Sequence, residues 1–517
     1  MINKLLKFVD KNSNKIILVI SIILSIVSFI YFYNHDLITA YGDSRAHLNI
    51  SRRVVDSLTP GIAQLGGAWL PLLHILMLPT IWINFMWHSG ISGSLVNMVA
   101  YVIATYSLYR LVEEITKSKI SATIAYLILA FNINILYFQA IPMSEMLFIS
   151  TFIVALFYLY KWQNTQQISA LLLSATFFLL TSLNRYEGWF VVVGAVIAIA
   201  LVSLRRFGRK KAEGYVILFG TLASLGIMLW LLWQLVIFGH PFDFLRSEFA
   251  AGVNTARDIE AGLVPTYKNL PVSIMTQVYA TVHMSGFLVT ALAGLAILTF
   301  LIKNISHLFK TKEFILLLAI IPFLFEILAV YRGNVPVYVP EIRASVPIPD
   351  FFNVRYALFS LPAIAIFVSI LSKQKIITFF LVAIIILNNL MITPILGKSI
   401  TALKDKGVVS SREHLELQTW FKNNYDDGLI LVSVASSDAF IFKTNLNMEK
   451  FISEGSGKYW RESMSNPSKY ARWVLIQDSQ DSNRDSLFKH LDMNALNKDF
   501  DLQEKSAGYS FYKIKDN

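Results

Sequence analysis

Cysteine is absent from the 517 residues. Neither a disulfide framework nor a thiolate metal site is therefore available, and the redox compartment is left open. Charge is also scarce. Charged residues make up 15% of the chain against 55% hydrophobic, with a mean hydropathy of +0.54, which excludes the ordinary soluble classes. Acids are outnumbered, 34 against 45 basic residues. Most of the bases sit in short loops, where they report membrane orientation and not a nucleic-acid surface. There is no Gly-rich phosphate loop, no Ser-His-Asp pattern and no internal repeat.

What the chain does have is apolar blocks of about 17 to 24 residues, the length a helix needs to cross roughly 30 Å of hydrocarbon. They lie at about 16–33, 70–87, 92–112, 120–138, 143–160, 168–183, 188–204, 214–238, 284–302, 313–330, 354–372 and 375–394. The first carries no convincing cleavage site and reads as a retained helix. Lys4, Lys7, Lys11 and Lys15 place the N-terminus in the cytoplasm. If 70–87 crossed the membrane, the basic loops 110–119, 205–211, 303–312 and 373–375 would all fall outside. Treated as a re-entrant or surface segment, with Pro71, Pro79, Trp82 and Trp87 near its ends, it puts them all inside. The expectation is a polytopic α-helical membrane protein with about eleven transmembrane helices and one re-entrant or surface helix.

That parity leaves outside a first loop at 34–91, the turns 139–142 and 184–188, the loops 239–283 and 331–353, and everything after about 395. The stretch Tyr41–Pro79 gathers Asp43, Arg45, His47, Arg52 and Arg53. Residues 44–58 are amphipathic and Pro60-Gly61 stops them, so a helix in the headgroup region is expected. Asp43, just ahead of it, either caps the helix, serves in catalysis, or does both. His47, four residues on, shares its face and could share a metal, a headgroup phosphate or a partner carboxylate, although two ligands do not make a metal site. Glu145 opens a membrane helix, as a partner of the helix dipole or as an acid facing an external cavity. Arg185 and Glu187 sit in one turn, as a local ion pair or with Arg185 holding an anionic lipid phosphate. The 239–283 loop is long enough to act as a lid. The 331–353 loop, with Arg332, Pro336, Pro340, Pro347 and Pro349, reads as extended, and Arg355-Tyr356 opens the next span.

From 395 the composition turns polar. Ser410 and Glu413 fit a capping box, Leu429–Val434, Arg472–Ile476 and Tyr509–Ile514 read as strands, and Ser482–Leu491 as a helix. The expected domains are thus 1–394 in the membrane and 395–517 as a small α/β domain outside it, which has a packing, acceptor-binding or partner role.

Acids and arginines on one face suit attack by an acceptor hydroxyl on a sugar whose leaving group is a lipid phosphate. Such a group departs without protonation, so one carboxylate base suffices, with arginines stabilising the phosphate. A glycosidase would need a carboxylate pair.

The chain resembles the GT-C glycosyltransferases, the membrane superfamily that includes protein O-mannosyltransferases and the aminoarabinose transferase of lipid A. The resemblance rests on Asp43 in YGDSRAH, on Trp69-Leu70-Pro71-Leu72, on Arg355-Tyr356 and on the C-terminal external domain. It implies transfer from a polyprenyl-phosphate sugar to a glycan, lipid or protein acceptor at the outer face of the plasma membrane, inverting, with Asp43 as base. His47, Arg45, Arg52, Glu145, Arg185, Glu187, Arg332, Arg355 and Tyr356 are the candidate substrate-binding residues. Ser44 follows Asp43 where many protein mannosyltransferases have an Asp-Glu pair, which counts against a protein acceptor. The resemblance assures no cofactor; some relatives bind a divalent metal through acids of the first two external loops, a role open here to Asp43 with Glu145. Two competing readings are a lipid-linked sugar flippase or carrier, which would place its polar groups at mid-membrane, and a non-catalytic polyprenyl-lipid-binding subunit, in which Asp43 would tolerate Asn.

Overall fold

The computed structural model describes residues 2–247, 250–304, 312–342, 352–372, 375–392, 400–405, 407–408, 415–478, 485–506 and 508–515. The capping box at Ser410 and Glu413, Pro347, Pro349 and the 394/395 boundary lie outside the described residues.

The apolar blocks fold as helices. Among the described residues, seven are long and apolar enough to cross a membrane: Asn12–Asn34, Ile91–Thr116, Ser144–Thr165, Glu187–Phe207, Arg209–Phe238, Phe287–Asn304 and Phe314–Tyr331. Lys119–Ala130, Ile168–Ser182, Arg355–Ile370 and Ile377–Ile392 are apolar but shorter. The expected 120–138 span is broken by Asn132, whose side chain accepts from the amides of Asn134 and Ile135 and starts a new helix, Ile133–Phe138. The expected 70–87 block is two pieces, Leu72–Ile81 with Pro79 inside it and Asn84–His88. Ten residues rise only about 15 Å, half the hydrocarbon thickness. The long 239–283 loop is a loop only in part, because helices Ala251–Glu260 and Leu270–Ser285 occupy much of it. Gly286 then breaks the chain before Phe287–Asn304, with φ +91, a conformation that disfavours any side chain.

By its contacts the chain divides into two units, one of residues 1–35, 67–72 and 94–408, the other of residues 36–66, 73–93 and 409–517. In the first unit, polar side chains fasten helix ends to one another. Asn97 Nδ2 donates to the carbonyls of Ile141 and Met143, both at 2.7 Å, and Ser94 Oγ donates to Ala140 O at 2.6 Å. Asn132 and Asn134 both donate to Met284 O. These bonds satisfy carbonyls freed where helices end and fix the turn that leads into Ser144–Thr165.

The second unit contains a five-stranded sheet of β1 (Leu429–Val432), β2 (Phe451–Ile452), β3 (Ala471–Gln477), β4 (Phe500–Ser506) and β5 (Tyr509–Ile514), in the order β2-β1-β3-β5-β4. β2, β1 and β3 run parallel, and β5 is antiparallel to both β3 and β4. Leu431, Val474, Ile476, Leu487, Leu496 and Tyr512 form part of its core. The three expected strands are β1, β3 and β5. The first-loop helix, Gly42–Val55, packs in this unit against helix Val434–Lys443. Its N-cap is Tyr41, and Asp43 lies inside the first turn, so Asp43 is not the cap. The expected Pro60-Gly61 stop comes late, since the helix ends at Val55.

Candidate functional site

In the membrane unit, helix Ile168–Ser182 reverses into Glu187–Phe207 through a turn so close that a Cβ at Gly188 would stand 2.5 Å from Thr181 O. This turn projects Arg185 toward the start of helix Ser144–Thr165. Arg185 Nε donates to Glu187 Oε1 at 2.9 Å and Nη2 lies 2.8 Å from the same oxygen. Its Nη1 donates to Ser144 Oγ at 2.8 Å and to Glu145 Oε1 at 3.4 Å. The local ion pair is formed, and it belongs to a larger cluster. Asn184 Nδ2 donates to Ser144 O at 2.8 Å, which holds the two elements together.

Arg355 enters from the opening turn of Arg355–Ile370, its Nε 3.6 Å from Glu145 Oε1 and its Nη2 donating to Tyr356 Oη at 3.2 Å. Asp405 fixes that turn by accepting from Val354 N at 2.8 Å. The Arg185 guanidinium lies over Phe359 at 4.6 Å and over Tyr356 at 5.5 Å, and that of Arg355 lies over Tyr356 at 5.1 Å. Burial works against the Arg185 charge, but Glu187 and then Glu145 more than offset it and hold its pKa above the ordinary value. Five of the expected residues, Glu145, Arg185, Glu187, Arg355 and Tyr356, therefore meet in one place. A fifth charged group, Glu326, lies on Ile321–Tyr331 and is fully buried. The sequence reading passed over it. The available signal was a lone carboxylate inside an apolar block, which normally faces a partner or a cavity.

Residues 67–72, which include Trp69-Leu70-Pro71, dock beside this turn in the same unit. Tyr186 Oη donates to Ala68 O at 3.0 Å and Gln234 Nε2 to Gly67 O at 2.8 Å, while Leu70 packs with Trp230 and Phe244. Arg332 stands elsewhere. With Tyr267, Lys268, Tyr331 and Asn334 it lines an open concavity of about 430 Å³.

The second unit holds the first-loop residues. His47 Nδ1 and His74 Nε2 are 2.8 Å apart, so one ring donates and the other accepts. Arg45 Nε donates to Thr39 O at 2.8 Å. Arg52 is spent on structure: Nε and Nη2 engage Asp56, Nη1 donates to the carbonyls of Ile81 and Trp82, and Nη2 also donates to Asn84 Oδ1. Trp87 lies under its guanidinium at 4.7 Å. Asn49 Nδ2 donates to Asp438 Oδ1 at 2.9 Å. Burial raises the pKa of that carboxyl, Arg53 and Asn49 partly oppose the rise, and Asp43 adds to it. Asp438, from helix Val434–Lys443, is a second acid beside Asp43 that sequence reading had no means of placing there.

Residues 78–233 match the dolichyl-phosphate-mannose-protein mannosyltransferase family. Among solved structures the chain is similar to ArnT from Cupriavidus metallidurans bound to undecaprenyl phosphate, with 9% identity over 96% of this chain and 97% of that one and a TM-score of 0.56. It is also similar to the Archaeoglobus fulgidus oligosaccharyltransferase in complex with Zn and sulfate, with 13% identity over 96% and 73% of the two chains and a TM-score of 0.54. The chain has the GT-C fold. A third GT-C structure, AglB of A. fulgidus with an inhibitory peptide and a dolichol-phosphate, aligns over 98% of this chain and 75% of that one at 13% identity and a TM-score of 0.51. No curated protein sequence matches the chain.

Within this GT-C fold the described residues include no group of three His, Asp or Glu side chains set to hold a metal ion. Glu145, the acid of the membrane unit expected to ligate one, is turned to two arginines. No step below is routed through a metal ion.

Proposed function

We propose that this GT-C protein transfers a sugar from a polyprenyl-phosphate donor to an acceptor hydroxyl at the extracytoplasmic face. Asp43 takes the hydroxyl proton as the oxygen attacks the anomeric carbon. The bond from that carbon to the phosphate oxygen breaks with its electron pair, leaving the lipid phosphate and an inverted linkage. Arg355 and Arg185 supply positive charge for the departing phosphate. The 1–394 region carries the chemistry, and the domain after it shapes the acceptor side.

The observation that carries this reading is the buried cluster of Arg185 and Arg355 about Glu145, formed in a fold whose solved examples include one bound to undecaprenyl phosphate and one bound to dolichol-phosphate. The Arg185 and Arg355 side chains are 15% and 12% exposed, and charges so far withdrawn from water are screened less than exposed ones.

The test is transfer from a panel of polyprenyl-phosphate sugars by purified protein, wild type against Asp43→Asn, with lipid binding followed in parallel. Loss of transfer by a factor of about 10² or more with binding retained is the expected result. Equal transfer by both proteins removes Asp43 from the mechanism, and translocation without transfer by either makes the protein a carrier.

A further inference from the structure

Arg332 takes no part in the cluster above, and the concavity it lines has no role in the chemistry. Tyr267, Lys268, Tyr331, Arg332 and Asn334 line it, which gives it two cations and, among the described residues, no acid. Its walls are tied by backbone bonds. Lys268 N donates to Tyr331 O at 2.9 Å, Asn334 N donates to Ala329 O at 2.9 Å, and Thr255 Oγ1 donates to Gly333 O. Lys268 and Arg332 are both exposed, and among the described residues neither side chain is ion-paired or hydrogen-bonded. Lys268 Nζ lies over the Tyr267 ring at 5.0 Å. The position is as telling as the charge. Tyr331 closes the apolar span Phe314–Tyr331, so the concavity stands where hydrocarbon gives way to headgroups, the depth that tyrosine favours. Leu324, Leu328 and Arg332 follow one another at spacings of four, as do Leu270, Ile274 and Val278 on helix Leu270–Ser285, and all six are exposed. That spacing sets each trio on one helix face. The two helices pack against each other, so two exposed apolar rows lead up to the two cations.

We propose that this concavity binds the headgroup of an anionic phospholipid of the surrounding membrane, with Lys268 and Arg332 on its phosphate and its acyl chains along the two apolar rows. A volume of about 430 Å³ is in the range of small-ligand sites. A phosphate diester offers two free oxygens, which suit the fork of an arginine and the point charge of a lysine. Asn334 can meet the hydroxyls of a glycerol headgroup with either end of its amide. A zwitterionic headgroup brings an ammonium that the two cations repel. A soluble anion would meet the cations but not the rows. The site is separate from the Arg185 and Arg355 cluster and does not rest on the transfer chemistry proposed above.

Native mass spectrometry of the full chain in detergent, titrated with phosphatidylglycerol or with phosphatidylcholine of the same acyl chains, reads the affinity for the first bound lipid. Wild type should hold phosphatidylglycerol at least tenfold more tightly than phosphatidylcholine. A lysine or arginine near a membrane surface is worth about fivefold in affinity for an anionic lipid. Lys268→Gln and Arg332→Gln should therefore each weaken phosphatidylglycerol binding about fivefold, and the two together about 25-fold. Lys210→Gln with Lys211→Gln removes the same charge from the exposed 205–211 loop and should change it by less than twofold. Equal affinity for the two lipids in wild type overturns the proposal, as does an equal loss in the two double variants, which would reduce the effect to overall charge. If the double variant at the concavity does not fold, the single ones decide, and no loss in either overturns the site. Displacement of phosphatidylglycerol by an equal concentration of a polyprenyl phosphate would assign the concavity to the donor instead. Displacement by millimolar inorganic phosphate would make it a site for soluble anions.

Discussion

Replacing Arg52 with methionine should loosen the segment 79–88 without unfolding the sheet of the second unit. All five N–H groups of Arg52 are directed at protein partners, namely Asp56, the carbonyls of Ile81 and Trp82, and Asn84, and its side chain is only 6% exposed. Removing one member of a buried ion pair costs about 3–5 kcal/mol, chiefly because the other members are left unpaired. The carbonyl bonds are lost in the same event and are not additive with it. Local opening of the segment should therefore become more frequent by a factor of about 10² to 10³, since each 1.4 kcal/mol is tenfold. Amide hydrogen exchange on peptides covering 79–93, in detergent or nanodisc, reads this quantity. Arg52→Lys keeps the charge but brings three donors on a flexible stem, so it should fall between wild type and Arg52→Met. Protection unchanged within about threefold in Arg52→Met would refute the strap, and equal loss of protection in β1, β3 and β5 would show that the residue supports the whole unit instead.

Two further predictions concern the fold. The Asp438 carboxyl titrates above its ordinary value because it is buried, so the native state holds that proton more tightly than the unfolded chain. Its contribution to stability is then lost as pH rises from about 4, the unfolded value, through the folded one. Asp438→Asn still accepts from Asn49 and has no charge to desolvate, so it should be more stabilising relative to wild type at pH 7 than at pH 4; the same difference in thermal midpoint at both values would contradict this. At Gly286, a Cβ would collide with the side chain of Asn388, which donates to Ser285 O at 2.8 Å and accepts from Val289 N at 3.3 Å. Gly286→Ala should destabilise the membrane unit by about 1–3 kcal/mol, measured as a lower thermal midpoint, and an unchanged midpoint would show that Asn388 moves aside freely.

The apolar blocks were legible because a membrane helix is written in length and composition, both local properties. So was much of the cluster, since Glu145, Arg185, Glu187 and Arg355 stand at helix ends, where a charge in an apolar chain is conspicuous. Glu326 escaped because an apolar block was read as an uninterrupted span. Asn132 is a polar residue within the 120–138 block, but its ability to cap a new helix, and so to split that block, depends on backbone geometry. The pairing of His47 with His74 spans 27 residues and that of Asn49 with Asp438 spans 389, and no periodicity encodes such distances. β4 was missed for a different reason. Its sequence, FDLQEKS, is polar and mostly exposed, and it is a strand because β5 offers it an edge.

The partition of contacts also sets an order of events during synthesis. Residues 36–66 belong to the same unit as residues 409–517, so the helix Gly42–Val55 leaves the ribosome long before Asp438 exists. Roughly 340 residues separate Gly66 from Val409, and at 5–20 residues per second their translation takes about 20 to 70 s. For that interval Asn49 lacks Asp438, and Gln64 lacks Gly455, whose carbonyl accepts from Gln64 Nε2 at 2.9 Å, so the half-built unit should be open to proteases. A nascent chain stalled before residue 409 should therefore be cleaved first within 36–66, whereas one released at full length should be resistant there.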